Sequence, residues 1–120
     1  MSEERQSLGR WGEEEAARYL CRQGMKIIAR NLRTPLGEID LVVRDRQTLA
    51  FVEVKTRRTL AFGSPQEAVG PRKQRQIIRS AQWYLASGQG QGLQPRFDVL
   101  AVSPGAAGAE IEYIPDAFGL

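Results

Sequence analysis

At 120 residues, 42% hydrophobic and 26% charged, the chain can bury one modest core and is too short for two. It has no histidine and one cysteine, Cys21, which excludes Ser-His-Asp and Cys-His nucleophiles, histidine-held metals, structural zinc and an internal disulfide. Any metal must be held by carboxylates, carbonyls and water, which points to Mg2+ or Mn2+.

The net charge is +3 and the pI about 9.4. Of the 17 basic residues 14 are arginine, and nine basic residues against three acidic ones fall between Arg44 and Arg79. Guanidinium forks match phosphate oxygens, so this bias suits a polyanion, although an Arg-rich solvated surface gives the same composition. No apolar run approaches the ~20 residues of a membrane span, and the charged start lacks a signal peptide's apolar stretch. With one unpaired cysteine, these features lead us to expect a cytoplasmic protein without a membrane partner.

In chain order, Ser7 is a candidate cap for a first helix running to Gln23 and closed by Gly24, with Leu8, Trp11, Ala16, Tyr19 and Leu20 inward. Met25 to Leu32 reads as a strand ended by Thr34-Pro35-Leu36-Gly37. Glu38–Arg44 and Leu49–Val54 form a hairpin around the polar loop Asp45-Arg46-Gln47-Thr48. Thr59 to Pro65 reads as irregular, and Gly70-Pro71 opens a second helix with Ile77, Ile78, Ala81, Tyr84 and Leu85 inward, ending near Ser87-Gly88. Residues 88–95 and 103–109 read as flexible loops around a strand Phe97–Val102, and Ile111–Ile114 as a short last strand. The order α-β-β-β-α-β-β gives an α/β fold, a central mixed sheet flanked by helices, in one domain spanning 1–120.

The hairpin carries the chemistry. A four-residue loop sets Arg44 opposite Leu49 and, counting back, Asp40 opposite Glu53, with Cβ atoms ~5 Å apart. Strand alternation puts Glu53 and Lys55 on one face with Phe51 and Leu49, while Ile39, Leu41, Val43, Ala50, Val52 and Val54 form the opposite, apolar face. Two facing carboxylates repel unless a cation lies between them. A divalent ion there can polarise a phosphoryl group and activate water, with Lys55 offsetting the charge that builds on the phosphate. The plainer alternative is a solvated ion pair at a strand end, with Asp40 capping a turn; charges set inside apolar strands argue against it.

Asp40, a gap of twelve, and Glu53-Val54-Lys55 resemble the PD-(D/E)XK nuclease superfamily. More narrowly, the chain resembles the small bacterial YraN-like family of predicted endonucleases, related to archaeal Holliday-junction resolvases. The matching pieces run in order: Gly9-x-x-Gly12-Glu13, Ala17-x-Tyr19-Leu20, Arg30-Asn31-x-Arg33, Gly37-Glu38-Ile39-Asp40-Leu41, Phe51-Val-Glu-Val-Lys-Thr-Arg57, Phe62-Gly63, Glu67-Ala68-Val69, Lys73 and Arg96-Phe97-Asp98-Val99. The proline that the superfamily carries before its aspartate is Ile39 here. The resemblance implies a restriction-endonuclease-like fold, Asp40 and Glu53 as metal ligands, and Lys55 as the catalytic lysine. It also implies Glu13 as the further acidic ligand of resolvase-like members.

Glu38 shares strand parity with Asp40, and Lys73 and Gln74 open the second helix, where they are either ordinary exposed residues or phosphate contacts. The expected function is a Mg2+- or Mn2+-dependent endonuclease hydrolysing DNA phosphodiester bonds, with branched or structured DNA as the substrate its relatives suggest. Arg57, Arg58, Arg72, Lys73, Arg75 and Arg79 are the candidate backbone contacts. The alternatives are a non-cleaving nucleic-acid-binding accessory protein with a retained nuclease fold, and a partner-binding protein without nucleic acid. Resolvase-like enzymes act in pairs, so a homodimer through Trp83 or Phe118 is a further candidate arrangement.

Overall fold

A computed structural model describes residues 3–58 and 69–119. Its elements are α1 (Glu3–Arg22), β1 (Lys26–Thr34), β2 (Gly37–Asp45), β3 (Thr48–Thr56), α2 (Pro71–Ala86), β4 (Gln94–Gly105) and β5 (Gly108–Phe118). The strands form one mixed sheet in the order β1-β2-β3-β4-β5, antiparallel except for the β3–β4 pair. The element order and mixed sheet are those expected from the sequence. The irregular stretch expected at Thr59–Pro65 lies outside the described residues.

The helices cover opposite faces. Ala16, Ala17 and Leu20 of α1 pack on Leu41, Val43, Ala50, Val52, Leu100 and Val102. Ile77, Ile78, Ala81 and Tyr84 of α2 pack on Val42, Leu49, Phe51, Phe97 and Val99. Strand alternation supplies both sets, since adjacent residues such as Val42 and Val43 serve opposite layers. Fully burying one such side chain stabilises by about 1.5–3 kcal/mol. β3 lies at the sheet's centre with both faces covered, so Leu49 through Glu53 are all buried.

Several boundaries differ from the sequence reading. α1 starts at Glu3, so Ser7 is internal to it and its hydroxyl accepts a bond from Arg10 at 3.3 Å. Gly24, at φ +90°, follows the helix in the left-handed conformation that ends many helices. Asp45 and Thr48 pair, so the hairpin turn is Arg46-Gln47 and not four residues. Both loop lengths share one centre, and Arg44 therefore still faces Leu49. The stretch 103–109, read as a loop, supplies the paired ends of β4 and β5 around a turn at Ala106-Ala107, with Gly105 opposite Gly108.

Two side chains are placed otherwise than expected. Ile39 belongs to the cluster beneath α2, not to the face of Leu41 and Val43. Alternation is therefore interrupted between Ile39 and Leu41, where the β2–β3 ladder ends at Leu41–Val52. Phe118 is stacked on Phe97 at 5.4 Å between centroids and packs half-buried at the core's margin, where the sequence suggests an exposed side chain. Trp83 remains exposed.

Candidate active site

The irregularity in β2 falls at Asp40. The paired register ends at Leu41–Val52, one step short of the Asp40–Glu53 pair expected from the sequence. The ladder has ended there, and the N–H of Val54 donates to Asp40 Oδ2 at 2.8 Å. This bond holds the carboxylate against β3, beside Glu53.

Glu53 is 5% exposed. Burial, followed by the charge and hydrogen bond of Asp40, pushes its carboxyl up to about 8, against the opposing pull of Lys73 and Lys55. Two ammonium groups attend the same oxygen. Lys55 Nζ stands 3.8 Å and Lys73 Nζ 3.7 Å from Glu53 Oε2. Lys55 shares Glu53's face by strand alternation. Lys73 comes from the first turn of α2, because the β3–α2–β4 crossover starts its helix beyond the carboxyl end of β3.

Glu13 lies on α1 at a cleft of about 200 Å3 that Asp40, Arg10 and Arg30 also line. Its carboxyl is raised by burial, then by the charges of Asp40 and Glu38. Gly12 explains how α1 comes so near: a Cβ there would overlap Thr56 Oγ1 and lie 2.8 Å from the Thr56 Cβ. Glu38 lines a second cleft with Arg33, Lys73 and Gln76. The structure thus brings Asp40, Glu53, Lys55 and Lys73 together, with Glu13 and Glu38 lining the adjoining clefts. Among the described residues no three acidic side chains form a ready metal cage. Asp40 and Glu53 still fit a hard divalent cation, which binds through one or two carboxylates plus water and substrate phosphate. Their mutual strain is the kind that such a cation relieves.

The arginines predicted to contact a backbone separate into two groups. Arg72, Arg75 and Arg79 line one cleft on α2 with Leu36 and Gln76. Arg58 lines a cleft with Glu3, Ser7 and Leu8 at the start of α1. The Arg57 backbone N–H bonds Val102 O at 2.9 Å, fastening the end of β3 to β4. Gln74 donates its side-chain amide to Val69 O at 2.8 Å and so shapes the entry to α2.

Sequence reasoning missed the contact of Lys73 with Glu53. Nothing in the local pattern around Lys73 signals it, since the two residues meet only through the crossover. It also left Arg96, Asp98 and Tyr113 without a role. Asp98 is fully buried in β4 and accepts from Arg96 Nε at 2.9 Å, from the Asp116 N–H at 2.9 Å and from the Tyr113 hydroxyl. This satisfied set fastens β5 across the register shift between Phe97 and Val99. The signal was an aspartate inside the apolar run Phe97–Val102.

No helix among the described residues is long and apolar enough to cross a membrane. Residues 12–102 match the model of the uncharacterised protein family UPF0102, a span that takes in the site and most of the motifs noted above. A UPF0102 protein of Syntrophotalea carbinolica is 61% identical over 118 residues, covering 98% of this chain and 96% of that one. Another from Desulfosudis oleivorans is 47% identical, over 98% of this chain and 94% of its own. One from Nocardia farcinica is 54% identical over 99 residues, 82% of this chain and 78% of that protein. The chain belongs to the family UPF0102.

Proposed function

We propose that the protein is a divalent-metal-dependent endonuclease acting on DNA phosphodiester bonds. The observation that carries this reading is the buried Glu53 carboxylate, set beside Asp40 and faced by two ammonium groups. The spacing of Asp40 and Glu53-Val54-Lys55, which resembles the PD-(D/E)XK superfamily, adds to it. Asp40 and Glu53 are the residues to hold Mg2+ or Mn2+, with Glu13 as the flanking acid. When bound, such an ion supplies Lewis acidity toward a phosphoryl oxygen and toward water.

The chain's own residues do the rest. Val54 fixes the Asp40 carboxylate through its N–H, so one donor arm is oriented before any substrate arrives. Lys55 and Lys73 supply positive charge beside the carboxylate pair, where a phosphate gains negative charge as its bond breaks. Neither lysine is more than half exposed, so that charge acts in a partly water-excluded site. A second reading, an accessory protein that binds nucleic acid without cutting, draws on the arginines of α2, which line one cleft with Leu36 and Gln76.

Incubation of the protein and of an Asp40→Ala/Glu53→Ala variant with labelled linear, single-stranded, flap and four-way-junction DNA in Mg2+ or Mn2+ tests the choice. Cleavage by the unaltered chain alone is expected. No cleavage of any substrate, with DNA binding equal in both proteins, overturns the nuclease reading in favour of the accessory one.

A further inference from the structure

Leu36 is the most exposed large apolar residue among the described ones, at 49%. It stands at the tip of the β1–β2 turn, and the turn is held in place. The Thr34 hydroxyl donates to Gly37 O at 2.8 Å and accepts the Leu36 N–H at 3.1 Å. Gly37, at φ +151°, sits so close to α2 that a Cβ there would meet the Gln76 side chain at 2.7 Å. The turn is therefore docked on the helix, and Leu36 projects from a fixed base.

Its surroundings are cationic. Arg72, Arg75 and Arg79 of α2 share a cleft of about 370 Å3 with Leu36 and Gln76. These arginines recur at helical spacing, so they form one stripe on the exposed side of α2. Gln76 also lines the neighbouring cleft, where Arg33, Glu38 and Lys73 lead toward Glu53. An apolar tip flanked by a stripe of guanidinium groups suits a partner that is anionic outside and apolar within. A nucleic-acid duplex is such a partner, with phosphates at its surface and stacked bases inside.

We propose that Leu36 is a wedge that enters a duplex at a weakened stacking step, while Arg72, Arg75 and Arg79 hold the backbone beside it. The inference rests on the nucleic-acid reading above and deepens it by naming what is recognised: a duplex interrupted at a nick or bulge. In a continuous duplex the wedge must itself separate stacked bases. In an interrupted duplex the stack at that step is already weakened, so opening it costs less and the interrupted form binds better. The arginines grip phosphates in both forms and do not discriminate between them.

The test uses binding without divalent ions, so that cleavage plays no part. Anisotropy is measured for the full chain, Leu36→Ala and Arg75→Ala/Arg79→Ala with a continuous duplex and with the same duplex carrying a bulge. A 2-aminopurine beside the bulge reports unstacking. The unaltered chain is expected to prefer the bulged duplex by about tenfold and to brighten the probe. Leu36→Ala should bind the continuous duplex as before, lose the preference and leave the probe dim. The double arginine variant should weaken both complexes alike and lower the slope of log affinity against log salt by about two. Equal binding of both duplexes by the unaltered chain, or a preference that survives in Leu36→Ala, overturns the wedge. If Mg2+ then brings cleavage, the nuclease reading stands without it. A preference lost in Leu36→Ala, with no cleavage in Mg2+, supports the wedge and removes the nuclease.

Discussion

Lys73 on α2 and Glu53 on β3 meet at 3.7 Å, and Lys55 stands 3.8 Å from the same carboxylate oxygen. Two ammonium groups thus attend a buried carboxylate whose second neighbour, Asp40, is also an acid. The cations lower the Glu53 pKa, yet burial and Asp40 outweigh them and leave it at about 8. The proposed divalent ion would therefore bind there in competition with a proton.

Metal affinity is accordingly expected to rise by about tenfold per pH unit up to roughly pH 8 and then level off. The sign for stability is opposite. The Glu53 pKa is raised on folding, so its contribution to the metal-free fold is complete below about 4.5 and is lost as pH climbs through 8. Melting temperature without metal should fall between pH 6 and 8.5, and Glu53→Gln should flatten that slope and melt higher than the parent at pH 8.5. The chain has no histidine, which keeps this window clear of the usual titrating side chain. Calorimetric Mn2+ titration with thermal melts across it checks both; a pH-independent metal affinity would sink the assignment.

Gly12 and Gly9 are both on α1 and should respond oppositely to alanine. A Cβ at Gly12 would overlap Thr56, including its Cβ, so α1 must move off β3 or the end of β3 must shift. Overpacking of this kind costs about 1–3 kcal/mol. At Gly9 a Cβ would point into open space, with nothing within 4 Å, so alanine there gains helix propensity, up to about 1 kcal/mol. Urea unfolding should show Gly12→Ala destabilised and Gly9→Ala unchanged or stabilised. Since Gly12 also seats Glu13 near Asp40, Gly12→Ala should weaken metal binding as well, and Gly9→Ala should not.

Asp98 offers a carboxylate with a different task. It is fully buried and its partners are all internal: Arg96, Tyr113 and the Asp116 N–H. Asp98→Ala leaves Arg96 only Asp45, at 4.0 Å, and the Tyr113 hydroxyl, strips the Asp116 N–H of its acceptor, and should destabilise by about 1.5–3 kcal/mol. Tyr113→Phe removes the donor to Asp98 and the acceptor of Arg96 Nη2 and should cost about 1–2 kcal/mol. Denaturant midpoints measure both. Metal affinity per folded molecule should stay unchanged in Tyr113→Phe, because the lock lies on β4 and β5 and not at the carboxylate pair.

How much of this was legible in the sequence follows from which interactions are local. Asp40, Glu53 and Lys55 could be placed together because hairpin register depends only on strand parity and the turn's centre. The apolar runs set that parity from Leu41 to Val52 even though the turn is shorter than expected, and it fails only at Ile39, beyond the end of the ladder. Lys73 could not be placed, because a helix's first turn reaches a strand end only through the crossover's tertiary path. Nor could the separation of Arg58 from Arg72, Arg75 and Arg79, since charge counted along a chain carries no record of which face it ends on. The ends of β4 and β5 read as loop because Ser103-Pro104-Gly105-Ala106-Ala107-Gly108 has weak strand propensity, which pairing overrides. Pro104 is tolerated there because β4 no longer pairs with β3 beyond Val102.

The two lysines at Glu53 can be told apart by their effects on the proton and on the substrate. Lys73 holds the Glu53 pKa down, and by more than Lys55 does. Lys73→Met should therefore raise that pKa further and move the rise in metal affinity to higher pH. Lys55→Met should do the same by a smaller amount. If both ammonium groups also face the phosphate during cleavage, each variant should lose activity at saturating metal and high pH, where Glu53 is ionised whatever its neighbours. A loss of about 10²-fold or more is the scale expected for removing a positioned charge from the transition state. Cleavage rates measured over a pH series, with metal saturating at every point, separate the two roles. Recovery of full activity by Lys73→Met at high pH would confine Lys73 to tuning Glu53, whereas a loss that persists at every pH would assign it to the phosphate.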